Sequence, residues 1–279
     1  MQITPLKADD VILRGDFQCD EVPYNLVYRV LDSDDARCWK SPDDAMLFVQ
    51  TPGLNGWLWI SPSLSAANRD RSIRALVERL KDDPPLPGIS AEPETATAFA
   101  QVYAGDRGMR FRLHMALASY HCPSVIPSKS VSGGSARPAE EKDLRKVAAF
   151  FAGFAQEAHG ASVDADSQLQ AASAAIASGN LFVWESEGEV VSMANIAHRS
   201  PRHGRINAVY TPPDSRNRGF AGALVAELSA VLLREELTPM LYTDAANPIS
   251  NRAYRNVGFI AAGSISDIKF EFEEGGDRL

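Results

Sequence analysis

The spacing of apolar positions alternates between helical and strand-like periods along the second half of the chain. From 139 to 159, apolar side chains recur every three or four residues, which predicts an amphipathic helix with Leu144, Val147, Phe150, Phe151 and Phe154 on its buried face. The elements predicted after it are a helix at about 164–178, strands at 181–186, 190–197 and 205–211, a helix at about 219–235, a strand at 240–243, a helix at 248–256 and a strand near 265–272. This succession is typical of an α+β domain.

The first half contains a faint copy of the same order. The segment WLWISPSLSAANRDRSIRALVERL reads as strand, loop and helix, as does INAVYTPPDSRNRGFAGALVAEL in the second half. The next segments, LPGISAEPETATAFAQVY and MLYTDAANPISNRAYRNV, also correspond. Because residues 122–138 are rich in Pro, Ser and Gly, we predict domains at 1–125 and 139–279 joined by a linker at 126–138.

Composition narrows the function classes. The 279 residues are 45% hydrophobic and 23% charged, which is typical of a globular protein, and the net charge of -8 gives no general attraction to nucleic acid or anionic lipid. No apolar run reaches the length of about 18 residues that a membrane span needs, and the N-terminus has no apolar leader, so we expect a cytoplasmic protein. Three widely spaced cysteines, Cys19, Cys38 and Cys122, predict neither a disulfide framework nor a metal site.

The stretch from Val209 to Leu224 carries the clearest chemical signal. A predicted strand enters a loop that opens directly into a helix, and the residues at the helix start are small: Gly219, Ala221 and Gly222. First-turn amides lack intrahelical acceptors and lie at the positive end of the helix dipole, so a pyrophosphate group is a natural ligand. Arg216 and Arg218 add positive charge, whereas neither G-x-x-x-x-G-K-S/T nor G-x-G-x-x-G is present.

These residues resemble the GNAT superfamily of acetyl-CoA-dependent N-acyltransferases. The family's pyrophosphate loop, Q/R-x-x-G-x-G/A, is matched by Arg216, Gly219 and Ala221, and the segment from Asn247 to Phe259 is similar to a second family signature. The resemblance covers roughly residues 135–275. It implies two GNAT-like domains, each a mixed, mostly antiparallel twisted sheet flanked by helices, of which only the second keeps a cofactor site.

The resemblance also implies which residues hold acetyl-CoA. Backbone groups of the strand before the loop would pair with the pantetheine arm, the loop and helix start would hold the pyrophosphate, and the later helix would contact the pantetheine and the sulfur. The implied contact residues are Ala208, Val209, Tyr210, Thr211, Arg216, Asn217, Arg218, Gly219, Phe220, Ala221, Gly222, Asn247, Asn251 and Tyr254. Asn247 before Pro248 is equally explained as an ordinary helix N-cap, and the tyrosine as packing.

The implied reaction is direct attack by a primary amine on the thioester in a ternary complex. Tyr254 is the candidate acid for the leaving thiolate, and the N–H of Val209 or Tyr210 the candidate oxyanion donor. Some family members carry a Glu base near the position of Arg205, where this chain has no carboxylate. Glu185, His198 and His203 are the alternatives nearest in sequence, and a water chain or a neutral amine would need no base.

The first half lacks the features of the loop. In the alignment above, Arg71 and Ile73 stand where the second half has Gly219 and Ala221, and Asn68 and Asp70 replace the two arginines. We therefore expect that residues 1–125 do not bind the cofactor.

Three functions remain open at this point. The favoured one is an N-acetyltransferase acting on an amine of a small molecule or peptide. The others are a non-catalytic acetyl-CoA sensor or interaction protein, and a structural tandem without ligand, which the glycines at the helix start argue against. The sequence leaves both a monomer and a homodimer open.

Overall fold

The computed structural model describes residues 2–126 and 133–272, and the chain divides into two compact units. Unit 1 comprises Met1–Ser119, Thr243–Ala246 and Ala262–Leu279, and unit 2 comprises Tyr120–Tyr242 and Asn247–Ala261. Of the predicted linker, residues 127–132 lie outside the described residues, as do residues 273–279 of the predicted second domain. Residues 262–272 belong to unit 1, together with most of the first half of the chain.

The sheet of unit 1 is built mainly from antiparallel neighbours. Its strand order is β1-β2-β3-β4-β5-β12, and only β4 and β5 run parallel. The strands of this half are β1 (Thr4–Pro5), β2 (Arg37–Lys40), β3 (Met46–Gln50), β4 (Gly56–Ile60), β5 (Gly88–Ala91) and β6 (Met109–His121), and β12 (Ile260–Phe272) completes the sheet.

Three α-helices accompany this sheet: α1 (Leu26–Leu31), α2 (Ala66–Arg79) and α3 (Pro93–Arg107). Two 3-10 helices, Val11–Arg14 and Asp16–Asp20, precede them. The core of unit 1 joins Ile73 and Leu76 of α2 and Phe99 of α3 to the sheet residues Phe48 and Leu58, all of them fully buried or nearly so. The helices and the sheet thus share one apolar layer.

Unit 2 has the strand order β11-β10-β9-β8-β7. Neighbours are antiparallel from β7 to β10, whereas β10 and β11 are parallel. The strands are β7 (Ser135–Pro138), β8 (Leu181–Ser186), β9 (Glu189–Arg199), β10 (His203–Tyr210) and β11 (Thr238–Asp244). The expectation of an α+β fold with mixed, mostly antiparallel pairing is confirmed.

The helices of unit 2 are α4 (Leu144–His159), α5 (Leu169–Ala177), α6 (Phe220–Arg234) and α7 (Pro248–Val257), with short 3-10 helices at Glu141–Asp143, Asp166–Gln168 and Pro213–Ser215. The apolar face predicted for the first of them forms, because Val147 and Phe150 are buried against Val183 and Met193 of the sheet. At Gly204 an added Cβ would lie 2.3 Å from Leu232 Cδ2. Glycine there lets α6 approach β10 closely.

One strand lies where the sequence predicts linker. Ser135–Pro138 forms β7 and pairs with β8 along Phe182–Glu185. Within it, Arg137 donates hydrogen bonds to Glu185 Oε2 at 2.6 Å and to both carboxylate oxygens of Asp143 at 2.6 and 2.9 Å. This ion-pair cluster fixes the strand to the start of α4 and to β8, and neither partner can be inferred from the local Pro- and Ser-rich pattern.

Candidate active site

The site begins where two parallel strands separate. β10 and β11 pair at His203, Gly204 and Arg205, and the last of these lies opposite Met240. Farther along β10 the pairing with β9 is interrupted by a bulge between Asn207 and Tyr210, and Ala208 adopts a φ of 49°. A left-handed alanine is strained, and a bulge bends the strand and removes residues from the ladder. The backbone of Ala208 and Val209 is thereby released from the β9 ladder.

The loop after β10 delivers the chain to α6 in a conformation that requires special residues. Asn217 has a φ of 61°, and Gly219, the N-cap of α6, has a φ of 84°. Asn and Gly are the residues that adopt this region most readily. No side chain caps the helix and its first turn contains no acidic residue. The first-turn amides therefore keep their capacity to bind an anion.

A cavity of about 430 Å³ joins the strand end, the loop and α7. Most of the residues predicted from the sequence to contact the cofactor line this cavity: Val209, Tyr210, Thr211, Arg216, Asn217, Gly219, Phe220, Ala221, Gly222, Asn247 and Tyr254. Three predicted residues are not among its lining residues. Ala208 packs against the core beneath α4, Arg218 lies with its guanidinium carbon 4.8 Å from the centre of the Phe220 ring, and Asn251 is buried in α7.

Several lining residues were not predicted from the sequence. They are Glu157, Ser215, Ile249, Ser250 and Ala253. Ile249, Ser250 and Ala253 lie on α7 between predicted residues, so their place could have been inferred from the helix. Glu157 is different, because it lies on α4, 59 residues before its partner Arg216. No local signal in the sequence connects the two.

Arg216 is held at the cavity by two sets of contacts. Its Nε donates to the backbone carbonyl of Thr211 at 2.8 Å, and its Nη2 donates to Glu157 Oε1 at 2.5 Å and Oε2 at 2.7 Å. Its guanidinium carbon also lies 5.9 Å from the centre of the Tyr210 ring. Burial and the nearby Glu157 carboxylate raise the pKa of Tyr210, although Arg216 acts in the opposite direction. This phenol therefore stays protonated at neutral pH.

Tyr254 faces the same cavity from α7. The helix starts at Pro248 after Asn247, whose side chain accepts a hydrogen bond from the N–H of Ser250 at 3.1 Å. The Tyr254 ring makes an edge contact with Phe259, with 6.0 Å between the ring centres. Burial raises the pKa of Tyr254 to about 12. Its hydroxyl is thus a proton donor, and not a base, throughout the neutral range.

The three sequence candidates for a general base are not lining residues of this cavity. Glu185 is engaged by Arg137, and His198 lies opposite Arg205 on β9. His203 is the buried first residue of β10, whereas the cavity lies at the other end of that strand. The position of Arg205, near which some family members carry the base, is also far from the cavity. At about 3.3 Å per residue, the four residues from Arg205 to the lining residue Val209 span roughly 13 Å.

The corresponding connection in unit 1 is built differently. β4 ends at Ile60 and α2 begins at Ala66, so this loop is shorter than the one from Tyr210 to Phe220. Ser65 caps α2 by accepting from the N–H of Asn68 at 3.4 Å. The residues aligned with the loop, namely Asn68, Asp70, Arg71 and Ile73, lie inside α2. Because α2 begins before these positions, the connection in unit 1 differs from the loop that precedes α6.

Comparison with known proteins identifies the class of fold. Residues 185–265 match the family model of FR47-like proteins. An acetyltransferase of the GNAT family from Colwellia psychrerythraea is similar over 98% of this chain and 100% of its own, with 15% identity and a TM-score of 0.57. A GCN5-related N-acetyltransferase from Sphaerobacter thermophilus has 17% identity and a TM-score of 0.60, over 99% of this chain and 97% of its own.

A GCN5-related N-acetyltransferase from Kribbella flavida is similar at 12% identity, with a TM-score of 0.55 over 96% of this chain and 98% of its own. No curated protein matches the sequence. The resemblance to the GNAT superfamily is confirmed, and the chain has the GNAT fold.

No helix within residues 2–126 and 133–272 is long and apolar enough to cross a membrane. Within the same ranges, no group of three or more His, Cys, Asp and Glu side chains is arranged to hold a metal ion.

Proposed function

We propose that the protein is an acetyl-CoA-dependent N-acetyltransferase that transfers an acetyl group to a primary amine of a small molecule or peptide. The observation that carries this proposal is the cavity shared by the released strand of β10, the uncapped start of α6 and Tyr254. In this proposal the strand binds the pantetheine arm, the helix start binds the pyrophosphate, and Tyr254 lies next to the sulfur of acetyl-CoA.

The residues at the helix start fit a phosphate ligand. Gly222 lies in the first turn of α6, where an added Cβ would meet only Val257 Cγ2, at 3.8 Å, which is an ordinary contact. Packing within the protein therefore does not demand glycine at this position, although glycine in a helix costs about 1 kcal/mol relative to alanine. Access of a ligand to the backbone explains its presence.

The chain's own groups account for the steps of the reaction. The amine nitrogen attacks the thioester carbonyl carbon while the N–H of Val209 or Tyr210 donates to the developing oxyanion. The carbon–sulfur bond then breaks, and the hydroxyl of Tyr254 gives its proton to the departing thiolate. An acceptor that arrives as the neutral amine loses one N–H proton to solvent after its attack, and solvent returns a proton to Tyr254. The absence of a carboxylate at Arg205 therefore does not stop the reaction.

Calorimetric titration with acetyl-CoA tests the proposal. We expect one site per chain in the wild type and loss of binding in Gly219→Asp, because Asp tolerates a positive φ but places a carboxylate at the anion site. Gly53→Asp is the matched control, since Gly53 has a φ of 81° and no atom within 4 Å of an added Cβ. Thiol release in an amine screen then measures transfer.

Some outcomes of these experiments would contradict the proposal. Absence of acetyl-CoA binding by the wild type, or equal binding by Gly219→Asp, would exclude this cavity as the cofactor site. Binding without thiol release for any amine would favour the sensor over the enzyme.

A further inference from the structure

In the described part of the chain, Glu157 is the only carboxylate that forms an ion pair with Arg216. Both Glu157 oxygens accept from Arg216 Nη2, at 2.5 and 2.7 Å. Both residues line the cofactor cavity. A negative charge therefore lies within hydrogen-bonding distance of the one loop arginine that lines the cavity in which we place the pyrophosphate.

Arg216 also has a contact that does not involve Glu157. Its Nε donates to the carbonyl of Thr211, the residue that follows β10, at 2.8 Å. A carboxylate added to this arrangement supplies charge more than orientation. The side chains of Arg216 and Glu157 are 40% and 46% exposed, and an ion pair with this exposure is exchanged at little cost.

We propose that Glu157 sets cofactor affinity by competing with the cofactor's phosphates for the guanidinium of Arg216. In the free protein, Glu157 neutralises Arg216. A pyrophosphate, with two charges and several acceptor oxygens, replaces the carboxylate on the guanidinium. The carboxylate therefore opposes binding through Arg216. This inference rests on the proposed function, because it requires an anionic cofactor in this cavity.

The sign of the effect distinguishes competition from support. If Glu157 competes, Glu157→Gln, which keeps the shape and removes the charge, lowers the Kd for acetyl-CoA. For partly exposed charges a few ångströms apart we expect a decrease of about 3- to 10-fold. If Glu157 instead positions Arg216, the same substitution raises the Kd.

The test is a set of acetyl-CoA titrations on the full chain at low salt. Glu189→Gln is the control, because it removes one negative charge from an exposed position on β9 outside the cavity. We expect it to leave the Kd unchanged. In an Arg216→Gln background, Glu157→Gln should lose most of its effect, since the competed group is then absent. Raising the salt concentration should also reduce the difference between wild type and Glu157→Gln.

The outcomes separate the two proposals. Failure of the wild type to bind acetyl-CoA would refute the proposed function itself. Binding by the wild type with an unchanged or higher Kd in Glu157→Gln would overturn the competition alone. A tightening of equal size in the Arg216→Gln background would also overturn it, because the effect would then not pass through the arginine.

Discussion

Replacing Gly153 by alanine should disturb the candidate site by displacing the side chain of Tyr210, which lines the cavity. Gly153 lies inside α4, and an added Cβ would stand 2.2 Å from the Tyr210 hydroxyl oxygen and 2.6 Å from its Cζ. The Tyr210 ring is confined on a second side by Phe150, whose ring centre is 5.6 Å away. The ring therefore has to move, and with it the bulged end of β10.

The magnitude follows from two opposing contributions. An alanine in place of a helical glycine stabilises by about 0.5 to 1 kcal/mol, while forcing an extra carbon into a packed site costs about 1 to 3 kcal/mol. The free energy of unfolding should thus fall by about 1 kcal/mol at Gly153. A misplacement of about 1 Å in reacting groups can cost up to 10²-fold, so we expect kcat/KM to fall at least about tenfold.

Gly105→Ala is the matched control. Gly105 is an exposed helical glycine in α3 of unit 1, and an added Cβ there has no atom within 4 Å. Only the favourable contribution remains, so the urea midpoint should rise and acetyl-CoA binding should not change. A Gly153→Ala protein that is as stable as Gly105→Ala and binds acetyl-CoA like the wild type would refute the packing argument.

Two further substitutions test separate parts of unit 2. Tyr254→Phe should lower kcat by up to about 10²-fold with little change in acetyl-CoA affinity, and equal kcat in both proteins would exclude the tyrosine as the acid. Because burial raises the pKa of Tyr254 to about 12, the wild type should show no loss of rate from this group below about pH 11. Arg137→Met should lower the free energy of unfolding by about 3 kcal/mol at pH 7, because it leaves the buried Asp143 without its cation. Burial opposes ionisation of Asp143, but hydrogen bonds from Arg137 and from the Glu140 amide lower its pKa, so this stabilisation is present above the unfolded pKa of about 3.9 and is lost as the pH falls below it. Urea titrations at pH 7 and pH 3 check this, and an equal difference between wild type and Arg137→Met at both pH values would contradict it.

The elements of unit 2 could be predicted well where local pattern decides the structure. The strand predicted at 181–186 is Leu181–Ser186, and the helices predicted at 219–235 and 248–256 are Phe220–Arg234 and Pro248–Val257. Gly219 and the Asn247-Pro248 pair mark the two helix starts. Short-range signals of this kind are independent of the partner that an element later packs against.

Prediction fails where a distant partner decides the structure. The segment at 135–138 is a strand because β8 and the Arg137 ion pairs hold it, although its own composition is typical of a loop. Glu157 was not predicted as a site residue for the same reason, since its role depends on Arg216 from another element. The motif thus predicts which backbone meets the cofactor, but not which charges surround it.

The two units also differ at the start of the second helix of the repeated pattern. In unit 2 the N-cap of α7 is the neutral Asn247, whereas in unit 1 the N-cap of α3 is Glu92, whose two oxygens accept from the amides of Glu94 and Thr95. A carboxylate on these amides satisfies the helix end and repels a second anion, while an asparagine satisfies one amide and adds no charge. The pyrophosphate is assigned to the uncapped start of α6, whose counterpart α2 follows a shorter loop and is capped by Ser65, and this difference supports the prediction that residues 1–125 do not bind acetyl-CoA. A single substitution in unit 1 would therefore not create a cofactor site, since both the loop and the cap would have to change.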